Sequence, residues 1–542
     1  MRNNNSTAGG APVTDRLSFL PLPSIPILPP DASPMNVSSQ RKRFLLVVIF
    51  AIAAFFRFYA LPSTPPGLYR DEGMDGCDAL AALETHHFDV FYPLDHGREG
   101  LYVNLAALCI ACFGNHTWVL RLPAAIFGFL TVSGLYVLAS ELFSVPVGLL
   151  AAFFAATSAW HINFSRIAFR AIAGPFFLVW CLYLLLLAAR KQHEQKHFLS
   201  LVALAGVTYG LGFYTYIAYR ATFLLIGVAM LYYFLLSRSK KMQRNFLRTV
   251  VTFLVAALLV ITPLALYFVR HPGTFSGRMA KVSIFNTPHP LKSVAVNVVR
   301  TALMFYTRGD RNWRSNYSGR PEVYWPVAAF MTLGLFLAIA RSCSREEGSR
   351  RWSYLVVLTW LLVGALPVVA SDPDAVPHAL RTILMVPPVF MLAAVGAWTV
   401  YSRLRLVVPN PALPVAATAV LLALTFEPAY TYFVRWARDP AVPPYFDVEQ
   451  ADLARGINTY SRDLPKVVAL PYLNRKHLPL RVASLMYLTK TYTPREQAEA
   501  HIQYVTPDTF EIPIPDDLRA LPFCEQVVTL TPNATVFCVD FQ

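Results

Sequence analysis

Nucleotide-binding signatures are missing from this sequence. Neither GxxxxGK[ST] nor a strand-linked GxGxxG occurs, so a soluble ATP or nucleotide-sugar substrate has no visible seat. Charge is scarce as well: 15% of the 542 residues are charged against 55% hydrophobic, which excludes an ordinary soluble chain. The seven cysteines show no CxxC pair and no metal-ligand spacing. Cys109, Cys112 and Cys181 sit in apolar runs and read as small core residues. Cys524 and Cys538 flank a strand-turn-strand pattern, where a disulfide would require an oxidising compartment. The Pro/Ser/Asn-rich start lacks the early apolar core of a cleavable signal peptide. No internal repeat is visible, unlike the matched halves of many transporters.

What the chain does have is a series of apolar runs long enough to cross a hydrocarbon core of about 30 Å. Eleven are expected to span: Phe44–Leu61, Trp118–Ala139, Val147–Phe164, Ala171–Ala189, Leu199–Tyr219, Ala221–Leu236, Thr249–Val269, Val323–Ala340, Tyr354–Ala370, Ile383–Val400 and Leu413–Phe426. The last is short and proline-flanked. Leu101–Phe113, with 13 residues, is read as not crossing. The fold class expected is an all-α polytopic membrane protein with a small α/β or α+β C-terminal domain. Residues 1–43 read as a disordered cytoplasmic tail, 44–426 as the transmembrane domain with a first external loop at 62–117, and 427–542 as the external domain. The net charge of +15 does not imply nucleic acid, because the basic residues cluster in short loops. Five such clusters facing the cytoplasm place the N-terminus inside and the C-terminal tail outside. Asp71, Glu72, Arg98, Arg166, Arg170, His378 and Arg381 then share the outer face.

Three of these stretches point to chemistry. Asp71 and Glu72 stand side by side just after the first apolar run. One carboxylate can take a proton from a hydroxyl while the other orients the acceptor or holds a divalent cation. Asp75 and Asp78 follow at helical spacing and read as solvated or ion-paired. Arg166 and Arg170 are spaced to share a helical face, and two guanidinium forks suit a phosphate or diphosphate. Arg381 and His378 add candidates for the same anion. Arg98 either joins them or pairs with Glu99. The bland readings are a solvated turn for the acids and snorkelling to headgroups for the arginines. A transporter or lipid flippase is the alternative function, although such proteins place charges nearer mid-membrane.

Pro65-Pro66-Gly67-Leu68-Tyr69-Arg70-Asp71-Glu72, Gly97-Arg98-Glu99, Leu120-Arg121-Leu122-Pro123-Ala124 and the run from Trp160 to Arg170 together resemble bacterial family 39 glycosyltransferases. These are GT-C relatives of the protein O-mannosyltransferases and of the lipid A aminoarabinose transferase. Pro377-His378-Ala379-Leu380-Arg381 resembles the late motif of the same group. The resemblance covers roughly Phe44 to Val400, and Gly73 stands where many relatives carry alanine. It implies a GT-C fold and inverting transfer of a sugar from a polyprenyl-phosphate carrier to a protein, lipid or glycan acceptor on the outer side of the cell membrane. Asp71 would be the general base and Glu72 its partner for the acceptor or for a divalent metal ion. Arg166, Arg170, Arg381, His378 and Arg98 would contact the phosphate of the sugar donor. Membrane lipids are the other expected partners; nucleic acid is not one.

Overall fold

Helix α1 (Ser39–Phe58) begins before its apolar run, because Ser38 Oγ accepts the Arg41 N–H at 3.3 Å and caps the first turn. Arg41, Lys42 and Arg43, expected in the tail, are therefore helical. The computed structural model describes residues 38–94, 97–191, 195–236, 240–281, 283–344, 348–408, 411–470, 478–505, 528–531 and 534–538. Most of the proposed N-terminal tail lies outside this range.

The first connecting region carries α2 (Arg70–Thr85), an antiparallel pair of two-residue strands β1 (Phe91–Tyr92) and β2 (Arg98–Glu99), and α3 (Leu101–Phe113). Behind it come α4 (Thr117–Leu142), α5 (Val145–Thr157), α6 (Ala159–Phe164), α7 (Ala173–Arg190), α8 (Gln195–Gly212), α9 (Phe223–Leu236) and α10 (Lys240–Arg270). Then follow α11 (Pro272–Lys281), α12 (Pro290–Leu303), α13 (Trp325–Cys343), α14 (Gly348–Val369), α15 (Val386–Leu404) and α16 (Ala412–Tyr430).

Among the described residues, seven of the eleven expected spans are long and apolar enough to cross a membrane, those built on α4, α7, α10, α13, α14, α15 and α16. The span expected over Val147–Phe164 is broken at Ser158, whose extended backbone ends α5 and whose Oγ accepts the His161 N–H to start α6. A 3-10 turn at Ile217–Thr222 shortens the next pair, α8 and α9. Helix α1 carries four basic residues within its 20, Arg41, Lys42, Arg43 and Arg57, so only its middle is free of charge. Conversely α16, the shortest run in sequence, is extended by a π turn from Thr431 to Trp436, so the boundary expected at 427 lies inside a continuous helix.

Close packing holds the bundle. A Cβ on Gly334 would lie 1.9 Å from the Leu392 carbonyl oxygen, and one on Gly396 would lie 2.0 Å from that of Phe330, so α13 and α15 touch backbone to backbone. Arg57, fully buried at the end of α1, donates to the Ala155 and Ala156 carbonyls. These are orphan acceptors of the last turn of α5, and the arginine satisfies them. Large apolar side chains such as Leu259 (71% exposed) and Phe426 (70%) cover the outside, as a hydrocarbon-facing surface requires.

The tail is mixed in structure. It runs α17 (Val448–Ile457), β3 (Lys466–Ala469), α18 (Leu478–Arg481), α19 (Ala483–Thr489), α20 (Pro494–Glu499), β4 (Ile502–Val505), β5 (Val528–Thr531) and β6 (Ala534–Cys538). The sheet order is β4-β3-β6-β5, with β3 parallel to both neighbours and β5 antiparallel to β6. The possible Cys524–Cys538 pairing lies outside the described residues and side chains.

Candidate functional site

The acidic stretch folds as the start of α2, and its four carboxylates have different fates. Glu72 is fully buried. Its Oε1 accepts Arg121 Nε at 2.9 Å and the Ala168 N–H at 2.8 Å. Its Oε2 accepts Arg121 Nη2 at 3.0 Å and the Tyr69 N–H at 3.1 Å. Arg121 is completed by the Pro65 and Gly67 carbonyls. A carboxylate with both oxygens spent on protein donors in a dry interior cannot also orient an acceptor or hold a metal. Glu72 is therefore a fastener of the first loop, not half of a catalytic pair.

Asp75 and Asp78 are also buried, and Arg98 bridges them with one guanidinium nitrogen on each. Burial holds both carboxyls above the ordinary aspartate range, and Arg98 offsets only part of that rise. Arg98 is wholly inaccessible and so leaves the phosphate-binding set.

Asp71 is the exception. It is only half-buried at the second position of α2, where its carboxylate is hydrogen-bonded to Tyr69. Burial and that carboxylate push the Tyr69 hydroxyl upward. Over the Tyr69 ring lies the guanidinium of Arg314, 3.6 Å from the centroid, a close cation–π contact. Arg314 also faces Phe169 at 5.4 Å, and Phe169 meets Tyr69 edge to face at 6.1 Å. Asn163 holds the Arg314 carbonyl at 2.7 Å and so ties the loop between α12 and α13 to this corner.

Arg166 and Arg170 do not share a helical face, because α6 ends at Phe164 and the chain resumes only in a 3-10 turn at Arg170. Arg166 turns inward. It is fully buried, donates to the Phe56 and Thr64 carbonyls at 3.0 and 2.7 Å, and packs on Phe433 and Tyr432. Both terminal nitrogens are spent on backbone carbonyls, and it too leaves the anion set. Arg170 turns the other way, to Glu99 at 3.2 Å with its side chain 12% exposed. Glu99 also takes Arg220 at 3.4 Å, from the turn between α8 and α9. Glu99 is thus shared between two arginines from separate turns.

His378 Nδ1 lies 3.7 Å from Asp310 Oδ2, which accepts the Ala379 N–H at 2.9 Å. Burial raises the Asp310 carboxyl above its ordinary range. Arg381 follows, half-buried and engaged within the protein. Trp160 Nε1 donates to the Ala379 carbonyl at 3.0 Å, which joins this late motif to α6. The segments expected on one face thus meet one another. Among the described residues no three His, Cys, Asp or Glu side chains gather to hold a metal ion, and Glu72 is already committed to Arg121. The Asp71–Glu72 pair does not fit a divalent cation.

Arg220 and Arg314 were missed in sequence. Arg314 is one of four arginines between Arg308 and Arg320, and nothing in spacing distinguishes it. Arg220 could have been found as the lone charge in an apolar turn.

This arrangement is the GT-C fold of integral-membrane glycosyltransferases, as the motifs implied. Residues 101–267 match the family model for dolichyl-phosphate-mannose-protein mannosyltransferase. Among solved structures, the chain is similar to ArnT from Cupriavidus metallidurans bound to undecaprenyl phosphate, at 12% identity and TM-score 0.52 over 84% of this chain and 88% of that one. It is also similar to the Archaeoglobus fulgidus oligosaccharyltransferase tethered with an acceptor peptide, at 14% identity and TM-score 0.53 over 85% of this chain. The chain spans 65% of that archaeal protein, a little under two thirds. No curated protein matches the sequence.

Proposed function

We propose that this protein is an inverting membrane glycosyltransferase that moves a sugar from a polyprenyl-phosphate carrier to an acceptor hydroxyl or amide on the outer face of the membrane. One observation carries the assignment of the base. Glu72, Asp75 and Asp78 are consumed in buried ion pairs, whereas Asp71 stands half-exposed beside Tyr69, whose ring carries the Arg314 guanidinium. The mannosyltransferase family match and two relatives captured with undecaprenyl phosphate and dolichol-phosphate support a lipid-phosphate donor.

The chemistry follows from the charges. As the acceptor atom attacks the anomeric carbon, its proton passes to the Asp71 carboxylate. The bond from that carbon to the phosphate oxygen breaks, and the polyprenyl phosphate leaves as an anion without needing a proton. Arg170 and Arg220 are assigned to that growing negative charge, where preorganised guanidinium groups stabilise the transition state most. Arg381, with His378 near it, is assigned to the same anion. No step requires a metal ion.

The test is turnover of a polyprenyl-phosphate sugar by the purified protein, read as release of polyprenyl phosphate in the presence of acceptor. Absence of turnover with every mannosyl, glucosyl and aminoarabinosyl carrier, together with transport of lipid across vesicles, would favour a flippase instead. Orientation is checked by impermeant thiol labelling of Lys191→Cys and Arg455→Cys in intact cells; only the second should react.

A further inference from the structure

The N-terminus of α2, which carries Asp71, is held from far downstream. The first helical residue, Arg70, has a backbone N–H with no partner inside its own helix. Asp447 Oδ2 accepts it at 2.8 Å from 377 positions away, while Asp447 Oδ1 lies 3.5 Å from the Arg70 guanidinium. Capping is normally done by the residue just before a helix; here Glu72 Oε2 takes the Tyr69 N–H at 3.1 Å, and the Arg70 N–H is left to Asp447. Asp447 itself sits in the left-handed region at φ 45°, a conformation that aspartate tolerates better than most residues.

The rest of the contact is equally close. Ser484 Oγ donates to the Leu68 carbonyl at 2.7 Å, and Cys77 Sγ donates to that of Ala483 at 3.4 Å. Gly73 directly follows the acidic pair, and a Cβ there would stand 2.5 Å from the Ser484 backbone nitrogen. The glycine that departs from the family pattern is thus the place where α19 lies on α2. On the facing turn, a Cβ on Gly76 would stand 2.5 Å from the Tyr487 ring. One helix is therefore gripped along a face and at its tip by the tail.

We propose that Asp447 and the helix Ala483–Thr489 together clamp the catalytic helix, with Asp447 as a positioning residue that caps α2 from far downstream and sets the direction of Asp71. This rests on the assignment of Asp71 as base. The tail then has a task inside the reaction centre.

Two substitutions separate the cap from the backbone. Asp447→Gly keeps the left-handed conformation and removes the acceptor. Asp447→Asn keeps an acceptor for the Arg70 N–H and loses only the charge facing the Arg70 guanidinium, which is 38% exposed and 3.5 Å away. In the full-length protein, amide exchange of residues 70–73 should speed at least tenfold in Asp447→Gly and stay parental in Asp447→Asn. The turnover number of the glycine variant should fall about 10- to 100-fold, the range for a small misplacement of a catalytic group, with KM for the sugar donor unchanged. The asparagine variant should turn over within about threefold of the parent. Should Asp447→Gly fail to fold, Ser484→Ala, which removes only the hydroxyl bound to the Leu68 carbonyl, is measured in the same way. Unchanged exchange at 70–73 overturns the clamp whatever the activity does. Faster exchange with parental turnover overturns the positioning role. If Asp71→Asn stays active, the base assignment fails separately, and the exchange data alone decide whether the tail grips α2.

Discussion

Arg121 grips Glu72 with two parallel hydrogen bonds, Nε to Oε1 at 2.9 Å and Nη2 to Oε2 at 3.0 Å, in a place that water does not reach. The pair fastens the first loop to α4, and its loss should act on folding. Breaking a buried pair by removing one partner costs about 3–5 kcal/mol. Arg121→Ala and Glu72→Ala should therefore lower yield and thermal stability in detergent severely. Glu72→Ala that purifies with parental stability but no transfer would return Glu72 to the reaction.

Arg170 and Arg166 are near in sequence and opposite in role. Arg170 and Arg220 share Glu99 at a partly open rim, whereas Arg166 is spent on the Phe56 and Thr64 carbonyls. Arg170→Ala and Arg220→Ala should each reduce kcat/KM about 10- to 100-fold, as expected for one charge-assisted hydrogen bond worth about 1.5–3 kcal/mol, with stability retained. Arg166→Ala should instead destabilise the protein. Steady-state kinetics beside thermal melts separate the two; the reverse pattern would contradict the assignment.

The fold was legible because hydrophobic run length in a membrane is set by bilayer thickness, and the strands at Lys466–Ala469 and Ile502–Val505 followed from short β-rich runs. The breaks were less legible. Ser158 interrupts an apolar run through a cap that competes with continuing the helix, and the turn marked in sequence by Arg220 is wider than that single charge. Within the site, Asp71 could be singled out as one of an adjacent pair, but its separation from Glu72 could not. That depends on Arg121, 49 positions away, and on the Ala168 N–H. The same limit applies to Arg166, whose helical spacing to Arg170 is undone by the end of α6. Asp447 gave no sign of its role, because a cap supplied from 377 residues downstream has no local pattern.

Glu322 makes the pH prediction. It is buried, and its Oε1 accepts the Asp310 N–H at 2.8 Å and Asn316 Nδ2 at 3.2 Å. Its Oε2 has no hydrogen-bond partner among the described residues. Burial, then the nearby Asp310 carboxylate, raise its carboxyl well above the ordinary 4.5. The folded state thus prefers the neutral acid. That preference is fully present below the ordinary value and is lost as pH rises through the raised one. Glu322→Gln, a neutral mimic, should flatten the fall in melting temperature between about pH 5 and pH 8 and melt at least as high as the parent at the upper end. An equal drop at every pH would show that the charged form is the native one.

The central claim is that Asp71 takes the acceptor's proton. Asp71→Asn keeps the size and most of the hydrogen bonding while removing the basic oxygen, so it isolates chemistry from folding. The decisive measurement is single-turnover transfer from a polyprenyl-phosphate sugar by purified Asp71→Asn, run beside binding of the same carrier. Transfer should fall by about two to four powers of ten, the range of general-base catalysis, with carrier binding nearly intact. A folded Asp71→Asn protein that binds the carrier and transfers sugar at the parental rate would contradict the account.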